Sequence, residues 1–327
     1  MLPPPFQNAL VLTGPTGSGK TQLGIELALR LGAEIISMDS MALYRRMDIG
    51  TAKPTLEQRA AVPHHLVDVL EPWESGSVAW WLEQARRCTQ EIEARGKQVL
   101  FVGGTPLYLK ALSSGLFDGP PADDVIRQRL SSDAQTSGSE SLHARLAAVD
   151  PVSAERLHPN DVRRTIRALE VFELTGKPIS EWQTQWSQPN SFSRNAEGVR
   201  EQVGERPRTP SALRLNEILC LDLPRSQLYE RINRRVEEMF AAGLVEEVRQ
   251  LRGCDRTLSL EASQALGYKE IFDLLAGAIT RDEAVVRVQM RSRNFAKRQI
   301  AWFRHLPECQ PVTMELTWTL WKPKMNA

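Results

Sequence analysis

Short apolar runs and stretches of helical periodicity alternate along the first part of the chain. The apolar runs predict strands at 9–12, 34–38 and 98–102, with a further candidate at 65–69. Apolar residues at helical spacing predict helices at 22–31 and 78–95. Strands that alternate with helices are typical of a parallel sheet with helices on both faces. The pattern therefore predicts an α/β fold whose active site lies beyond the carboxyl ends of the strands.

The pattern changes near Gly119-Pro120-Pro121. From 123 to 186 the chain shows helical periodicity and no convincing strand, which predicts an α-helical insertion domain. Residues 187–211 are polar and typical of a long connection. A strand that rejoins the sheet and three helices are then predicted, at 217–223, 225–242, 244–251 and 281–304. We therefore expect the first part of the α/β core at 1–118, the insertion with its polar connection at 119–211, and the rest of the core at 212–327.

The composition is that of an ordinary globular protein. Hydrophobic residues make up 42% of the 327 positions and charged residues 25%, and the net charge is only +1. A nucleic-acid surface on such a chain must be a local basic patch. The apolar stretches are too short to span a bilayer, and the proline-rich start lacks the basic segment of a signal peptide. Because the four cysteines are widely spaced, a reduced compartment fits, and we expect a cytoplasmic protein with no membrane partner.

A glycine-rich stretch links the first predicted strand to the first predicted helix. It matches the phosphate-loop pattern G-x-x-x-x-G-K-[ST] at every fixed position, with residues Gly14, Pro15, Thr16, Gly17, Ser18, Gly19, Lys20 and Thr21. The backbone N–H groups of such a loop and the helix N-terminus face an anion. Lys20 can reach the outer phosphates, and the Thr21 hydroxyl can bind Mg²⁺. We therefore expect a core like that of the P-loop NTPases, with Mg²⁺ as cofactor.

Two further polar segments follow predicted strands. Asp39 and Ser40 follow the second strand, and Gly103-Gly104-Thr105 follows the strand at 98–102. Because the carboxyl ends of parallel strands meet at one edge of the sheet, both segments should converge with the phosphate loop. Asp39 there suits a general base, a metal ligand through water, or a helix cap. Thr105 offers a hydroxyl to a ligand, caps the next helix, or does both.

Two helical stretches carry clustered basic residues. In the insertion, Arg163, Arg164 and Arg167 lie close together, and the first and last share a helix face. From 284 to 307 the chain has six Lys or Arg residues, no acidic residue and several aromatic residues. Such arrangements suit the phosphates and bases of RNA. A solvated face paired with neighbouring carboxylates remains the alternative for the arginines, and a core-facing role remains the alternative for the aromatics.

Together these segments resemble one family, the bacterial tRNA dimethylallyltransferases, also called tRNA isopentenyltransferases. The likeness covers nearly the whole chain. It rests on blocks in the same order: Gly14–Thr21, Asp39-Ser40 with Tyr44-Arg45, Met47–Pro54, Pro63–Asp68, Val102–Thr105 with Leu107-Tyr108, Asn160–Arg164 with Arg167–Glu170, Leu228-Tyr229 with Arg231-Ile232, Gly267–Glu270 and Phe295–Gln299. The order of so many blocks makes the resemblance specific, although most of them alone would be weak.

The resemblance implies transfer of a dimethylallyl group from dimethylallyl diphosphate to N6 of adenosine 37 in tRNA, with release of diphosphate. The phosphate loop and Arg225 are then expected to hold the diphosphate, with Mg²⁺ bound through Thr21. Asp39 looks like the general base, and Thr105 like a hydroxyl that orients Asp39 and the amine. The positions implied to contact tRNA are Asp39, Ser40, Met41, Ala42, Thr105, Arg127, Arg163, Arg164, Thr165, Ile166 and Arg167.

Two positions near the expected site depart from the family pattern. Ala42 stands where a glutamine associated with the target base is usual, so backbone, water or another side chain must take over that role. Pro106 stands where a glycine usually follows Gly103-Gly104-Thr105.

Three other functions remain open. A phosphate-loop kinase or NTPase would need a second acidic Mg²⁺ site after a buried strand, but Asp222 is followed by Pro224-Arg225 and not by a hydrolytic sequence. An adenylate isopentenyltransferase would act on free nucleotides, whereas the arginine-rich insertion favours RNA. An RNA-binding protein without activity would not need the intact loop with Asp39 and Thr105. We expect the enzyme to be a monomer.

Overall fold

The computed structural model describes residue 3 and residues 5–117, 119–183 and 218–325. These residues form two compact units. The second unit consists of the described residues between 114 and 183, and the first unit consists of the others. The polar stretch at 187–211, predicted to be a long connection, lies outside the described residues.

A six-stranded parallel sheet forms the centre of the first unit. Its strands are β1 (Leu10–Thr13), β2 (Ala33–Ser37), β3 (His64–His65), β4 (Gln98–Gly103), β5 (Ile218–Leu221) and β6 (Cys309–Val312). They lie in the order β3-β2-β4-β1-β5-β6, and every neighbouring pair is parallel. Thr13, at the end of β1, pairs with Gly103 on one side and Cys220 on the other. The phosphate loop therefore leaves the sheet from an interior strand.

Helices accompany the sheet and make up the second unit. Those of the first unit are α1 (Lys20–Leu31), α2 (Leu56–Ala61), α3 (Val78–Ala94), α4 (Pro106–Ser114), α10 (Arg225–Ala241), α11 (Leu244–Arg252), α12 (Leu260–Ser263), α13 (Tyr268–Leu275), α14 (Arg281–Arg304) and α15 (Met314–Met325). Those of the second unit are α5 (Asp124–Ser137), α6 (Ser139–Val149), α7 (Pro151–Arg156), α8 (Val162–Thr175) and α9 (Ile179–Trp182). A short 3₁₀ helix precedes β1 at Phe6–Asn8.

Both faces of the sheet are covered. Because successive strand residues point to opposite faces, Leu100 and Phe101 of β4 join different layers. Leu100 belongs to the core shared with Leu27 of α1 and Trp321 of α15. On the opposite face, Phe101 packs edge-on against Trp81 of α3. Strands β1, β2 and β5 are buried on both faces, as in other parallel sheets, which explains their largely apolar runs.

The second unit has a hydrophobic core of its own. The buried members of this core are Leu130, Leu142, Leu146, Ala154, Ala168, Leu169, Val171 and Ile179. Asp150, which is also buried, caps α7 by accepting a hydrogen bond from the Ser153 N–H at 2.9 Å. The helical prediction for 123–186 is confirmed over its described part, residues 123–183.

Most predicted elements are confirmed within two residues at each end, and α14 has the predicted bounds. The candidate strand at 65–69 is present as β3, but its predicted bounds are wrong. β3 ends at His65, because Leu66 and Asp68 adopt φ angles of 59° and 57° that no strand accommodates. The sequence patterns also did not predict β6 and α15. In the described part of the chain, no helix combines the length and apolar character required to cross a membrane.

Candidate active site

The phosphate loop joins the end of β1 to the start of α1, as the motif requires. Gly19 precedes α1 with φ of 88°, a left-handed conformation that glycine adopts freely. The first turn of α1 presents backbone N–H groups that lack helical partners and the positive end of the helix dipole. The loop therefore has the backbone arrangement of an anion site.

Two buried polar atoms beside this loop lack partners. Within the described residues, neither Ser18 Oγ nor Arg235 Nε makes a hydrogen bond. Arg235 belongs to α10, and its guanidinium also donates to Thr16 Oγ1 at 2.5 Å. Because a buried unpaired polar group costs free energy, such atoms are usually satisfied by water or a ligand. An anion held in the phosphate loop fits this requirement.

Two cations and one carboxylate lie within electrostatic range at the loop. Burial lowers the pKa of Lys20 to about 8, while the Asp39 carboxylate opposes this shift and Arg235 adds to it. Burial also lowers the pKa of Arg235, and the nearby Asp39 carboxylate acts in the opposite direction and raises it. Lys20 Nζ donates to the Pro15 carbonyl at 3.3 Å. The predicted convergence of Asp39 with the phosphate loop is therefore confirmed.

The turn that carries Asp39 is held by the loop after β4. Asp39 Oδ1 accepts a hydrogen bond from the Met41 N–H at 2.9 Å, which closes a tight turn. The next residue, Ser40, donates its backbone N–H to Thr105 Oγ1 at 3.0 Å. The Thr105 N–H in turn donates to the Met38 carbonyl at 3.1 Å. Thr105, in the loop after β4, therefore holds the turn in place. The second carboxylate oxygen of Asp39, Oδ2, makes no hydrogen bond within the described residues.

The segment after this turn is anchored by ion pairs that the sequence patterns did not indicate. The Lys53 side chain is only 2% exposed, and its ammonium binds Asp68 Oδ1 at 2.6 Å. Glu247, on α11, accepts hydrogen bonds from three consecutive backbone N–H groups, those of residues 48–50. Nothing in the local sequence links α11 to this segment, because the contact arises from packing between distant helices.

Gly104 lies where three backbone segments meet. A Cβ atom placed on Gly104 would lie 2.9 Å from the Gly14 carbonyl oxygen and 2.7 Å from Gln299 Nε2. The expected close backbone approach at this glycine is therefore present. Gln299, from α14, was not singled out in the sequence beyond its place in the Phe295–Gln299 block.

Two predicted site residues, Arg225 and Ala42, differ in exposure. Arg225 is exposed at the start of α10, and within the described residues its side chain makes no hydrogen bond or ion pair. The same helix instead brings Arg235 to Thr16. Ala42 is only 4% exposed, so its methyl group faces the interior and not a ligand. Ser40 and Met41 are half-buried beside Asp39.

In the second unit, the residues expected to contact RNA fall into two groups. Arg163 and Arg164 are exposed at the start of α8, where Arg164 also forms an exposed ion pair with Asp161 at 3.2 Å. Arg127 and Arg167 instead bind the carboxylate of Glu170, whose side chain is fully buried. Burial raises the pKa of Glu170, but hydrogen bonds from Arg167, the Asp123 N–H and Arg127 outweigh it and hold the pKa below its ordinary value.

Two other members of that predicted RNA-contact set face inward. The Thr165 side chain is buried and donates to the Asp161 carbonyl at 3.0 Å. Ile166 packs against the core of the second unit. These placements follow from the inner face of α8, and the contact of this segment with RNA stays a prediction.

The basic helix α14 has one buried and one exposed side. Phe303 is 3% exposed, which confirms the core-facing alternative for that aromatic residue, whereas Trp302 is 37% exposed. Beyond the first turn of α14, four basic side chains are exposed, those of Arg287, Lys297, Arg298 and Arg304. The outer side of α14 is therefore positively charged.

Comparison with known proteins identifies the family. Residues 42–306 match the family model described as IPP transferase, and residues 7–63 match the model described as Isopentenyl transferase. The chain belongs to the IPP transferase family. The first match alone spans most of the chain, from the turn after Asp39 to the end of α14.

Curated relatives of this IPP transferase chain are similar over nearly their whole length. A tRNA dimethylallyltransferase from Geobacter metallireducens is 46% identical over 295 residues, which cover 90% of this chain and 89% of the relative. A protein of the same name from Geobacillus thermodenitrificans is 46% identical over 301 residues, with 91% and 88% covered.

Solved structures extend the IPP transferase assignment to the fold. The full-length tRNA isopentenylpyrophosphate transferase from Bacillus halodurans matches with a TM-score of 0.65 at 35% identity, covering 98% of this chain and 97% of the other. A eukaryotic dimethylallyltransferase acting on tRNA matches with a TM-score of 0.70 at 26% identity, covering 95% and 75%. The α/β architecture is therefore that of known enzymes of this kind.

Proposed function

We propose that the protein transfers a dimethylallyl group from dimethylallyl diphosphate to N6 of adenosine 37 in tRNA, forming N6-dimethylallyladenosine and releasing diphosphate. The names of the relatives support this proposal. The observation that carries it is an anion site beside a carboxylate. Lys20 and Arg235, which with the loop N–H groups form what we call the anion cradle, lie within electrostatic range of Asp39. A group transfer that expels an anion and deprotonates an amine needs both parts.

The anion cradle stabilises the leaving group. As the bond between C1 of the dimethylallyl group and the diphosphate oxygen breaks, negative charge grows on the diphosphate. Lys20, Arg235 and the loop N–H groups are already in place to receive that charge, which lowers the barrier without rearrangement. The unpaired Ser18 Oγ supplies a further partner. Arg235, which the sequence did not single out, joins the groups that hold the diphosphate, and the contact of the exposed Arg225 with the diphosphate stays a prediction.

The carboxylate of Asp39 acts as the base for the acceptor amine, adenine N6. The lone pair of adenine N6 is delocalised into the ring, so the amine becomes a good nucleophile only as it loses a proton. Asp39 Oδ2 accepts that proton while N6 forms its new bond to C1 of the dimethylallyl group. Oδ1 stays engaged with the Met41 N–H, and Thr105 holds the neighbouring residue, so the carboxylate is oriented before the adenine arrives.

The residues present fit a Mg²⁺ ion at the same loop. Mg²⁺ is usually bound by one or two protein oxygens together with substrate phosphates and water. The Thr21 hydroxyl, on the first turn of α1, is half-buried and makes no hydrogen bond within the described residues, so it is available as such an oxygen. When bound, Mg²⁺ would neutralise charge on the diphosphate. Thr21 would hold it there.

The RNA acceptor is supported by exposed basic groups on each unit. Arg163 and Arg164 offer two guanidinium groups on the second unit, and the outer side of α14 offers four cationic side chains on the first. Contacts to phosphates position an RNA without reading its sequence. An adenine in a single-stranded loop can leave its stack at low cost and enter an enclosed site. We also propose that the enzyme acts as a monomer in the cytoplasm.

A labelling experiment tests this proposal by detecting both products, the modified acceptor and the released diphosphate. The protein is incubated with Mg²⁺ and the substrate labelled in the dimethylallyl group, with unmodified tRNA, AMP or ATP as acceptor. We expect label in tRNA only and diphosphate as the product. Label on AMP or ATP at comparable rates would instead identify an adenylate isopentenyltransferase. Hydrolysis of ATP without transfer would identify a phosphate-loop NTPase.

A further inference from the structure

One buried side chain joins the phosphate loop to the loop that carries Thr105. Gln299, on α14, is 2% exposed. Its Oε1 accepts a hydrogen bond from the Thr16 N–H at 2.8 Å, and its Nε2 donates to the Gly104 carbonyl at 2.6 Å. A carboxamide offers an acceptor and a donor on one rigid plane. Both polar ends of Gln299 are therefore used, one on each loop.

The Gln299 side chain thus forms a bridge between Thr16 and Gly104. Each end of this bridge lies at or next to a residue with a proposed role. Thr16 is in the phosphate loop, and its hydroxyl accepts a hydrogen bond from Arg235. Gly104 immediately precedes Thr105, which holds the Ser40 N–H. A continuous chain of contacts thus runs from the cradle for the leaving group to the turn that carries Asp39.

The Gln299 bridge is tightly packed against both loops. A Cβ atom on Gly104 would lie 2.7 Å from Gln299 Nε2 and 2.9 Å from the Gly14 carbonyl oxygen. The two loops and α14 are packed at their closest approach, so the length of the Gln299 side chain sets the spacing between the loops. Close-packed interiors respond to such a change by moving their backbone segments.

We propose that Gln299 is a positioning residue that fixes the phosphate loop relative to the Asp39–Thr105 pair. This inference rests on the proposed function for its catalytic consequence. Gln299 acts through Thr16 and Gly104, and so aligns the breaking bond at the diphosphate with the amine that Asp39 deprotonates. In a displacement between two bound substrates, the rate depends steeply on this alignment.

Kinetics with matched variants test the alignment. Gln299→Met keeps the side-chain length and removes both hydrogen bonds. Gln289→Met is the control, because Gln289 lies on the same helix but donates its side-chain amide to the Asn233 carbonyl of α10, away from the two loops. At saturating substrates, we expect kcat of Gln299→Met to fall about 100-fold, the order expected for a misplacement of about 1 Å. We expect both KM values to change less than about 3-fold, because each substrate still binds its own loop.

Amide hydrogen exchange without substrates provides a readout that does not depend on activity. In Gln299→Met, peptides covering 14–21 and 102–106 should exchange faster than in the unaltered protein, while Gln289→Met leaves them unchanged. Gln299→Glu keeps the acceptor for the Thr16 N–H and loses the donor to Gly104, so exchange should rise mainly at 102–106.

The outcomes separate the bridge from the proposed function. If the unaltered protein transfers no dimethylallyl group yet Gln299→Met loosens both loops, the proposed function fails and the bridge stands. Unchanged exchange at both loops would overturn the bridge. Faster exchange throughout the first unit with kcat per folded molecule unchanged would overturn it as well, because Gln299 would then only stabilise the fold.

Discussion

Thr105 Oγ1 accepts a hydrogen bond from the Ser40 N–H at 3.0 Å, and this contact fixes the turn that carries Asp39. Thr105→Val keeps the shape of the side chain but leaves the Ser40 N–H without its partner. Because the Ser40 N–H is half-buried, losing its partner costs about 1–2 kcal/mol, so we expect the turn to loosen and kcat to fall roughly 10-fold. Thr105→Ser keeps the hydroxyl and should retain most of the activity. Equal losses in both variants would show that the methyl group, and not the hydrogen bond, matters.

Asp39→Asn removes the proposed base while it preserves the turn in which the residue lies. Asparagine keeps an oxygen that can accept from the Met41 N–H, so the turn is preserved, but it cannot take a proton from the amine. We expect kcat to fall about 10²- to 10⁴-fold, the usual contribution of a general base. The dissociation constant for tRNA should stay nearly unchanged. Near-normal turnover would remove Asp39 from the role of base.

Lys20 predicts a pH dependence of diphosphate binding. Its pKa in the free protein is lowered to about 8, so the ammonium is charged below that pH and neutral above it. An anion binds the charged form, so affinity for dimethylallyl diphosphate should be constant below pH 8 and fall above it. The fall should approach about tenfold per pH unit, as expected for one proton. Titration calorimetry between neutral pH and about pH 9.5 measures it.

Lys20→Arg is the control for this pH dependence, because a guanidinium stays charged throughout the range. Binding by Lys20→Arg should therefore show no inflection near pH 8. An inflection that persists in this variant would assign the titration to another group.

The arginines of the second unit should separate into binding and structural groups. Arg163→Ala with Arg164→Ala removes exposed charges, so tRNA binding should weaken and the slope of log affinity against log salt should drop by about 2, with stability unchanged. Arg127→Ala removes a bidentate partner of buried Glu170. Because Arg127 is 43% exposed, solvent screening reduces the cost to roughly 1–2 kcal/mol of unfolding free energy.

Filter binding over a salt series and thermal denaturation measure the two effects. An unchanged salt slope in the double variant would leave Arg163 and Arg164 as a solvated helix face. Pairing Arg163 with Arg167 would be a poorer choice, because Arg167 also binds Glu170 and so mixes the two effects.

The local parts of the site could be predicted from the sequence. A phosphate loop is a contiguous motif between a strand and a helix, and Asp39 and Thr105 follow strands that the apolar runs mark clearly. The rule that carboxyl ends of parallel strands meet then brings them together. This required no knowledge of packing.

The remaining parts depend on contacts between distant elements. Helical periodicity places Arg235 and Gln299 on helix faces, but it does not say which face meets the phosphate loop, more than 200 residues earlier. The strand β6 was missed because Pro311 lies within it, which is tolerated there because β6 is an edge strand. The short β3 results from positive φ angles at Leu66 and Asp68, neither of which is glycine.

The most direct test of the central claim locates the transferred group within the tRNA. Unmodified tRNA with adenosine at position 37, and the same tRNA with guanosine there, are each incubated with the protein, Mg²⁺ and dimethylallyl diphosphate. Nuclease digestion and mass spectrometry then identify the modified nucleoside. We expect N6-dimethylallyladenosine at position 37 of the first tRNA and no modification of the second. Equal modification of both tRNAs, or of neither, would contradict the proposed function.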